Sequence, residues 1–237
     1  MSVKPILFNG MMVRAILDGR KTVTRRAIKP QPGEKLAYIW GGSNHGKWSF
    51  SPYNESRYEE HRAANDWKYW TPPCHTDDVL WVRETWNRGY IDSSDAELCN
   101  ESWFEEYHKR DGSFLDGISG YVYRADFTRA EEYELGTLDE DNTPRPMPWR
   151  PSIHMPREAA RIWLRVTGVR VEQLQDMTEY DAYSEGCRTN DYGDKTIFRS
   201  VWDSTIKPAD RERYGWAANP FCWVIEFERC EKPEEEK

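Results

Sequence analysis

The stretch Ile16-Leu-Asp-Gly-Arg-Lys-Thr-Val-Thr-Arg-Arg26 joins the end of an apolar helical pattern to a β-branched, basic run. Gly19 directly follows the helical pattern, and a glycine there ends a helix because it can adopt the left-handed conformation. The segment Thr22-Val-Thr24 then favours a strand. Lys21 lies at the turn between helix and strand, ahead of two arginines. The corner is therefore either a small reactive or phosphate-binding site or a solvated basic turn.

Length and composition limit the class of protein. The chain has 237 residues and a formal net charge of −8, which argues against a general polyanion binder. Its 12 Trp and 13 Tyr argue against disorder, since disordered chains are poor in aromatics. There is no apolar run of membrane-spanning length and no apolar leader at the N-terminus, so we expect a cytoplasmic protein that does not enter a membrane.

The cysteines point to a reducing compartment. They are odd in number and show no paired C-x-x-C spacing, which favours free thiols. The five are Cys74, Cys99, Cys187, Cys222 and Cys230. Cys74 and His75 with Cys99 and His108 could in principle hold zinc, but their spacing fits no zinc pattern. We therefore expect no metal and no cofactor.

Periodicity and punctuation predict an α+β fold. The sequence is expected to form one domain over residues 1–237, with a long loop carrying short strands at 29–75 and an insertion at 87–150. The predicted strands are Pro5–Phe8, Asp77–Trp86, Tyr121–Arg124, Ile162–Val171 with a bulge at Gly168, and Pro220–Glu228. The predicted helices follow Asn9, lie around Trp103–His108, and cover Thr178–Gly186 and Thr196–Ile206.

The helix over Thr178–Gly186 has clear signals at both ends. Thr178 is a suitable N-cap, Asp181 stands at the third helical position, and Gly186 is a stop signal. Glu185 falls in the last turn, where the helix dipole disfavours a carboxylate. A carboxylate in that position requires a separate reason.

Four separated segments resemble ASCH domains, in the order seen in that family. They are Ile16–Arg26, Asp78-Val-Leu-Trp-Val, the segment Leu174-Gln-Asp-Met-Thr-Glu-Tyr-Asp-Ala-Tyr-Ser-Glu185-Gly, and Phe221-Cys-Trp-Val-Ile-Glu-Phe. Two further pieces, Trp149-Arg-Pro-Ser-Ile-His-Met-Pro156 and Trp202-Asp203, are similar to the longer ASCH proteins of phages and prophages. The resemblance implies a PUA-like (ASCH) β-barrel with flanking helices and a large insertion.

The resemblance also implies an activity. Some short bacterial ASCH proteins are amidohydrolases that remove the acetyl group from N(4)-acetylcytidine, using a Lys, a Thr and a Glu. The matching residues here are Lys21, Thr24 and Glu185. Thr24 would be the nucleophile, Lys21 its proton acceptor or the oxyanion partner, and Glu185 the activator of water or the proton donor to the leaving amine. The 29–75 and 87–150 segments have no counterpart in the short enzymes.

Four further residues are candidates for substrate binding. Arg25 and Arg26 could hold a phosphate or a base edge, or be surface arginines. Trp86 could stack on a base or pack in the core, and His154 could line the pocket or be structural. The expected partner is a modified nucleoside or RNA rather than a long nucleic-acid tract. Two alternatives to the hydrolase stay open: a PUA-like binding module without catalysis, and a ribonuclease.

Overall fold

The computed structural model describes residues 2–32, 38–44, 47–51, 68–92, 117–127, 137–138, 144–145, 148–189 and 192–234. Within these ranges helices and strands are mixed along the chain, which confirms the predicted α+β class. None of the helices in the described ranges is long and apolar enough to cross a membrane.

The chain divides into two compact units. Unit 1 comprises Met1–Lys4, Ala15–Trp81 and Ile162–Lys237, and unit 2 comprises Pro5–Arg14 and Val82–Arg161. Unit 2 thus combines a segment near the N-terminus with the part of the chain that contains the predicted 87–150 insertion. The single domain with an insertion stays a prediction.

The described elements follow one another in a mixed order. The strands are β1 (Val3–Leu7), β2 (Val23–Ala27), β3 (Tyr38–Asn44), β4 (Lys47–Ser51), β5 (Lys68–Trp70), β6 (Val79–Arg83), β7 (Trp86–Asp92), β8 (Gly117–Tyr123), β9 (Thr137–Leu138), β10 (Pro144–Arg145), β11 (Trp163–Gln173), β12 (Arg188–Thr189), β13 (Tyr192–Gly193) and β14 (Phe221–Cys230). The α-helices are α1 (Gly10–Leu17), α2 (Glu179–Ser184), α3 (Lys195–Thr205) and α4 (Arg211–Tyr214). The helix predicted around Trp103–His108 lies outside the described residues.

A five-stranded sheet with the order β1-β6-β11-β14-β2 organises the fold. β11 and β14 are its longest strands and pair antiparallel, with a register shift between Val166 and Gly168 that confirms the predicted bulge. β2 pairs antiparallel with β14 and forms one edge of this sheet. Over the described residues the sheet is open, so the PUA-like barrel stays a prediction. Smaller sheets pair β3-β4-β5, β7-β8, β9-β10 and β12-β13.

Helix α1 begins and ends as its sequence predicts. The side chain of Asn9 accepts a hydrogen bond from the backbone N–H of Met12 at 2.9 Å, which satisfies one of the unpaired donors of the first turn. At the other end Gly19 has φ of 70°, the left-handed conformation that a glycine adopts without steric cost. The chain is thereby turned towards β2 directly after the helix.

The prediction of one strand over Asp77–Trp86 is wrong, because the chain breaks at Glu84. β6 ends at Arg83 and β7 begins at Trp86, which pairs with Tyr123 of β8. The Glu84 side chain is buried in unit 2 and accepts two hydrogen bonds from Arg161, at 2.9 and 3.0 Å. A buried carboxylate needs such a partner, and this requirement outweighs the local strand pattern.

Candidate functional site

The corner after α1 is fixed against the C-terminal end of α2, inside unit 1. Lys21 and Glu185 form an isolated antiparallel bridge. The backbone N–H of Thr22 donates to the carbonyl of Ser184 at 2.9 Å. These contacts bring together two segments of the chain that are more than 160 residues apart.

Helix α2 delivers Glu185 through its two caps. Thr178 and Asp181 form the predicted capping box at its start. After Glu185, Gly186 has φ of 83°. A Cβ at Gly186 would meet the Cβ of Ala15 at 2.7 Å and that of Lys21 at 3.3 Å. Only glycine therefore gives both the backbone conformation and the close approach that seat Glu185 beside Lys21.

Lys21 and Glu185 form a buried ion pair. The Nζ atom of Lys21 lies 2.5 Å from Oε2 of Glu185, and the two residues are 2% and 3% exposed. Nζ also donates to the backbone carbonyls of Val23 at 2.7 Å and Glu185 at 3.0 Å. Burial lowers the pKa of Lys21, and the attraction of Glu185 only partly offsets this effect. The site therefore holds a lysine whose neutral form is more accessible than that of a surface lysine.

Arg25 supplies a second cation to the same carboxylate. Its Nη1 atom lies 3.2 Å from Oε1 of Glu185, so each carboxylate oxygen has its own cationic partner. Nε of Arg25 donates to Glu172 at 2.6 Å, and Nη2 lies 3.0 Å from Oδ1 of Asp181. Burial alone would lower the pKa of Arg25, but Glu185 and Glu172 outweigh it and raise that pKa, so the guanidinium stays charged. These contacts explain how a carboxylate is tolerated at the end of α2.

The register of the sheet decides which side chains share the face of Arg25. Arg25 is opposite Val224 of β14, and Val224 is opposite Arg170 of β11. Directly opposed residues of antiparallel strands project to the same side, and alternate residues share a face. Arg25, Arg170 and Glu172 therefore lie on one face, which also receives Asp181 and Glu185 from α2. Together with Lys21, these residues are called the charge cluster below; Lys21, Arg25 and Glu185 are buried, and Arg170, Glu172 and Asp181 are partly exposed.

Thr24 and Arg26 lie on the other face of β2. Thr24 is opposite Ile225 and is 1% exposed, and Arg26 is opposite Trp223 and half-buried. Burial lowers the pKa of Arg26. The structure thus brings Lys21 and Glu185 into contact, while Thr24 projects from the opposite side of the strand to Arg25. The ammonium of Lys21 approaches Thr24 through the carbonyl of Val23, which belongs to the same peptide group as the Thr24 nitrogen.

Trp86 and His154 both belong to unit 2. Trp86 is 4% exposed and packs in a core cluster with Tyr123, Met155 and Ala159, as its core interpretation predicts. His154 is exposed at the end of a short 3-10 turn, Ser152–His154. The ring of Trp86 is therefore covered by other residues of unit 2.

Unit 2 contains a cavity of about 640 Å³. Its polar lining includes Arg14 and Arg124 with the carboxylates of Glu84 and Asp126, and both carboxylates are bound by Arg161. No lining residue of this cavity belongs to the charge cluster.

Three members of the charge cluster do not follow from the local sequence patterns. Arg170 was predicted only as a strand residue, Glu172 was not singled out, and Asp181 was interpreted only as part of the helix cap. Glu172 stands two residues after Arg170 in a predicted strand, which is a signal that the pair shares a face. Its pairing with Arg25 required the register across β14, which the sequence alone does not supply.

Within the described ranges, no group of three or more His, Cys, Asp or Glu side chains is placed to hold a metal ion. Comparisons of the chain with protein-family models, with curated proteins and with solved structures found no match.

Proposed function

We propose that the protein is a hydrolase that removes an acyl group from a modified pyrimidine nucleoside such as N(4)-acetylcytidine, and that Lys21, Thr24 and Glu185 form its site. The observation that carries this proposal is the ion pair between Lys21 and Glu185 at 2.5 Å. It supports the proposal because it joins two of the three residues that the ASCH resemblance identifies, although they lie 164 positions apart in the sequence. A PUA-like barrel and a cytoplasmic location are parts of the same proposal.

The chemistry assigned to Lys21 follows from its burial. A lysine with a lowered pKa can accept a proton as the free amine at a lower pH than a surface lysine, and its protonated form can instead stabilise the oxyanion. These two roles have opposite requirements for the charge of Lys21 during attack on the acyl carbon. The pH dependence of turnover therefore distinguishes them.

The nucleophile is either Thr24 or water. In the first case the Thr24 oxygen bonds to the acyl carbon, and its proton passes by way of Lys21 to the leaving nitrogen as the C–N bond breaks; water then hydrolyses the ester. In the second case Glu185 takes a proton from a water whose oxygen bonds to the acyl carbon, and gives it to the leaving nitrogen as the C–N bond breaks, so no acyl-enzyme forms. The position of Thr24 on the opposite face of β2 to Arg25 favours the second route.

Access to the pair is a requirement of either route. Lys21 and Glu185 are 2% and 3% exposed, so a substrate must displace part of the surrounding structure to touch them. This burial favours a second candidate function, a PUA-like module that binds RNA or a modified base, in which the charge cluster only stabilises the fold. Buried charged networks that are fully paired can have such a structural role.

The test is hydrolysis of acylated nucleosides by the purified protein. We expect N(4)-acetylcytidine to yield cytidine and acetate, measured by chromatography, and we expect Glu185→Gln to lose this activity. A matched control is Glu226→Gln, which removes an exposed carboxylate that pairs with Arg170 on the same sheet. Binding of the nucleoside or of RNA without any product would support the binding module and contradict the hydrolase.

A further inference from the structure

The side chain of Arg25, a predicted substrate ligand, is surrounded by protein carboxylates. It is 0% exposed, and its Nε and Nη1 atoms donate to Glu172 and Glu185 at 2.6 and 3.2 Å, while Nη2 lies 3.0 Å from Asp181 without making a hydrogen bond. A guanidinium recognises a phosphate or a base edge by presenting its planar donors to it. In Arg25 those donors already face three carboxylates from β11 and α2. The geometry therefore does not suit direct contact with a substrate.

The same geometry gives Arg25 a definite relation to the proposed site. Glu185 is held from two sides, by Arg25 at Oε1 and by Lys21 at Oε2. Without Arg25, a neutral Lys21 would leave the buried Glu185 carboxylate with the charge of Arg26 alone to balance it. A buried carboxylate that has lost two of its cationic partners is costly, so Lys21 would retain its proton instead.

We infer that Arg25 is a positioning residue, which fixes the carboxylate of Glu185 and balances its charge beside Lys21. This inference rests on the proposed hydrolase function, in which Lys21 and Glu185 act on the substrate. Arg25 acts only through Glu185 and does not touch the substrate. It replaces the phosphate- or base-binding role that the sequence suggested for this arginine.

The charged groups around Lys21 influence its pKa, so that pKa reports on the loss of a nearby charge. The titratable or charged groups that influence it are Glu185, Arg26 and Cys187. Arg25 influences Lys21 through Glu185, which both cations contact. The charge that is lost with Arg25 therefore acts on Lys21 through that carboxylate. Loss of Arg25 makes the surroundings of Lys21 more negative, so its pKa should rise.

The experiment measures the titration of Lys21 directly, by NMR of protein carrying isotope-labelled lysine. The Lys21 signal is assigned by its loss in Lys21→Arg. In Arg25→Gln we expect the titration midpoint of Lys21 to rise by about one pH unit or more. The limb of the pH–rate profile that belongs to Lys21 should move by the same amount and in the same direction.

Arg170→Gln is the matched control. Arg170 lies on the same face of the sheet, but its ion pairs are with Glu172 at 3.5 Å, Asp181 at 3.6 Å and Glu226, and not with Glu185. This variant removes the same charge from the same cluster, and we expect the midpoint of Lys21 to move less than half as far. Equal shifts in the two variants would overturn the specific role of Arg25.

A second variant covers the possibility that Arg25→Gln alone does not fold. Arg25→Gln with Glu172→Gln removes one buried cation together with one of its carboxylates, which keeps the net charge of the cluster. The midpoint of Lys21 should still rise, because Glu185 has lost its second partner. An unchanged midpoint in either folded variant overturns the inference. If the wild-type protein does not hydrolyse N(4)-acetylcytidine, the proposed function fails, whereas the NMR titration still decides whether Arg25 controls the charge of Lys21.

Discussion

Lys21 Nζ lies 2.5 Å from Oε2 of Glu185, a residue 164 positions further along the chain. This contact joins the corner after α1 to the end of α2, and both partners are buried. Closing so long a loop has a large entropic cost, and the contact is maintained by the backbone bridge, by Gly186 and by Arg25.

The first prediction concerns the charge and basicity of Lys21. Lys21→Ala should reduce hydrolysis of N(4)-acetylcytidine by several orders of magnitude, because groups that act as a unit lose nearly all activity together. Lys21→Arg should fail as well if Lys21 is a base, since a guanidinium does not release its proton. Steady-state rates of the two variants provide the measurement. A substantial rate in Lys21→Arg would instead make Lys21 an oxyanion stabiliser.

The second prediction concerns stability. Glu185→Gln leaves the ammonium of Lys21 and the guanidinium of Arg25 without their shared carboxylate. Removing one partner of a buried pair costs about 3–5 kcal/mol, so the free energy of unfolding in urea should fall by an amount of that order. Glu226→Gln serves as the control, because its carboxylate is 49% exposed and should change stability by about 1 kcal/mol or less. Similar losses in the two variants would show that burial of the pair contributes little.

The third prediction concerns pH. Burial lowers the pKa of Lys21 in the folded protein below its ordinary value of 10.5. At a pH between the folded-state and unfolded-state pKa values, the unfolded chain therefore binds more protons than the folded protein. Stability should therefore rise with pH in that window, relative to a variant without the lysine. Urea titrations of the wild type and Lys21→Met from about pH 7 to about pH 10 measure this difference. A difference that does not change with pH would mean that Lys21 has the same pKa in both states.

The helix α2 and the corner at Gly19 could be predicted from sequence because their determinants are local. Thr178, Asp181 and Gly186 act within one or two turns of the helix that they cap. The role of Arg25 could not be predicted in this way, because it depends on the register of β2, β14 and β11. The break at Glu84 was missed for the same reason, since its partner Arg161 lies 77 residues away. Local sequence patterns therefore do not predict which buried charges pair when the partners lie far apart in the chain.

The fourth prediction concerns the thiols. The four described cysteines are free, and burial raises the pKa of Cys74 and Cys187 to about 11 and raises that of Cys222 further. Since the thiolate is the reactive form, these three should react slowly with a disulfide reagent in the folded protein. The half-buried Cys230 should react first among the four. A Cys99→Ser background removes the cysteine outside the described residues, and Cys230→Ser should remove the fast phase.

The denatured wild-type protein gives the total number of free thiols. All five cysteines should titrate without a reductant, as the odd number and irregular spacing predict. A count below five would show a disulfide or a modified thiol. Stoichiometric zinc in the purified protein would contradict the expectation of no metal.

The last prediction identifies the nucleophile. If Thr24 attacks the acyl carbon, Thr24→Ala should abolish turnover, and Thr24→Ser should retain part of it because serine keeps the hydroxyl. An acyl-enzyme should then accumulate when its hydrolysis is slowed, and mass spectrometry of the quenched protein should locate one acetyl group on Thr24. The projection of Thr24 from the face of β2 opposite to Arg25 favours the other outcome, in which Thr24→Ala keeps its rate and no acylated protein is trapped. Turnover would then depend on Glu185 activating water, and Glu185→Gln should abolish it although Thr24→Ala does not. Loss of activity in Thr24→Ala together with an acetylated Thr24 in the wild type would contradict direct water attack, and would require the Thr24 hydroxyl to reach the Lys21 ammonium at the edge of the sheet.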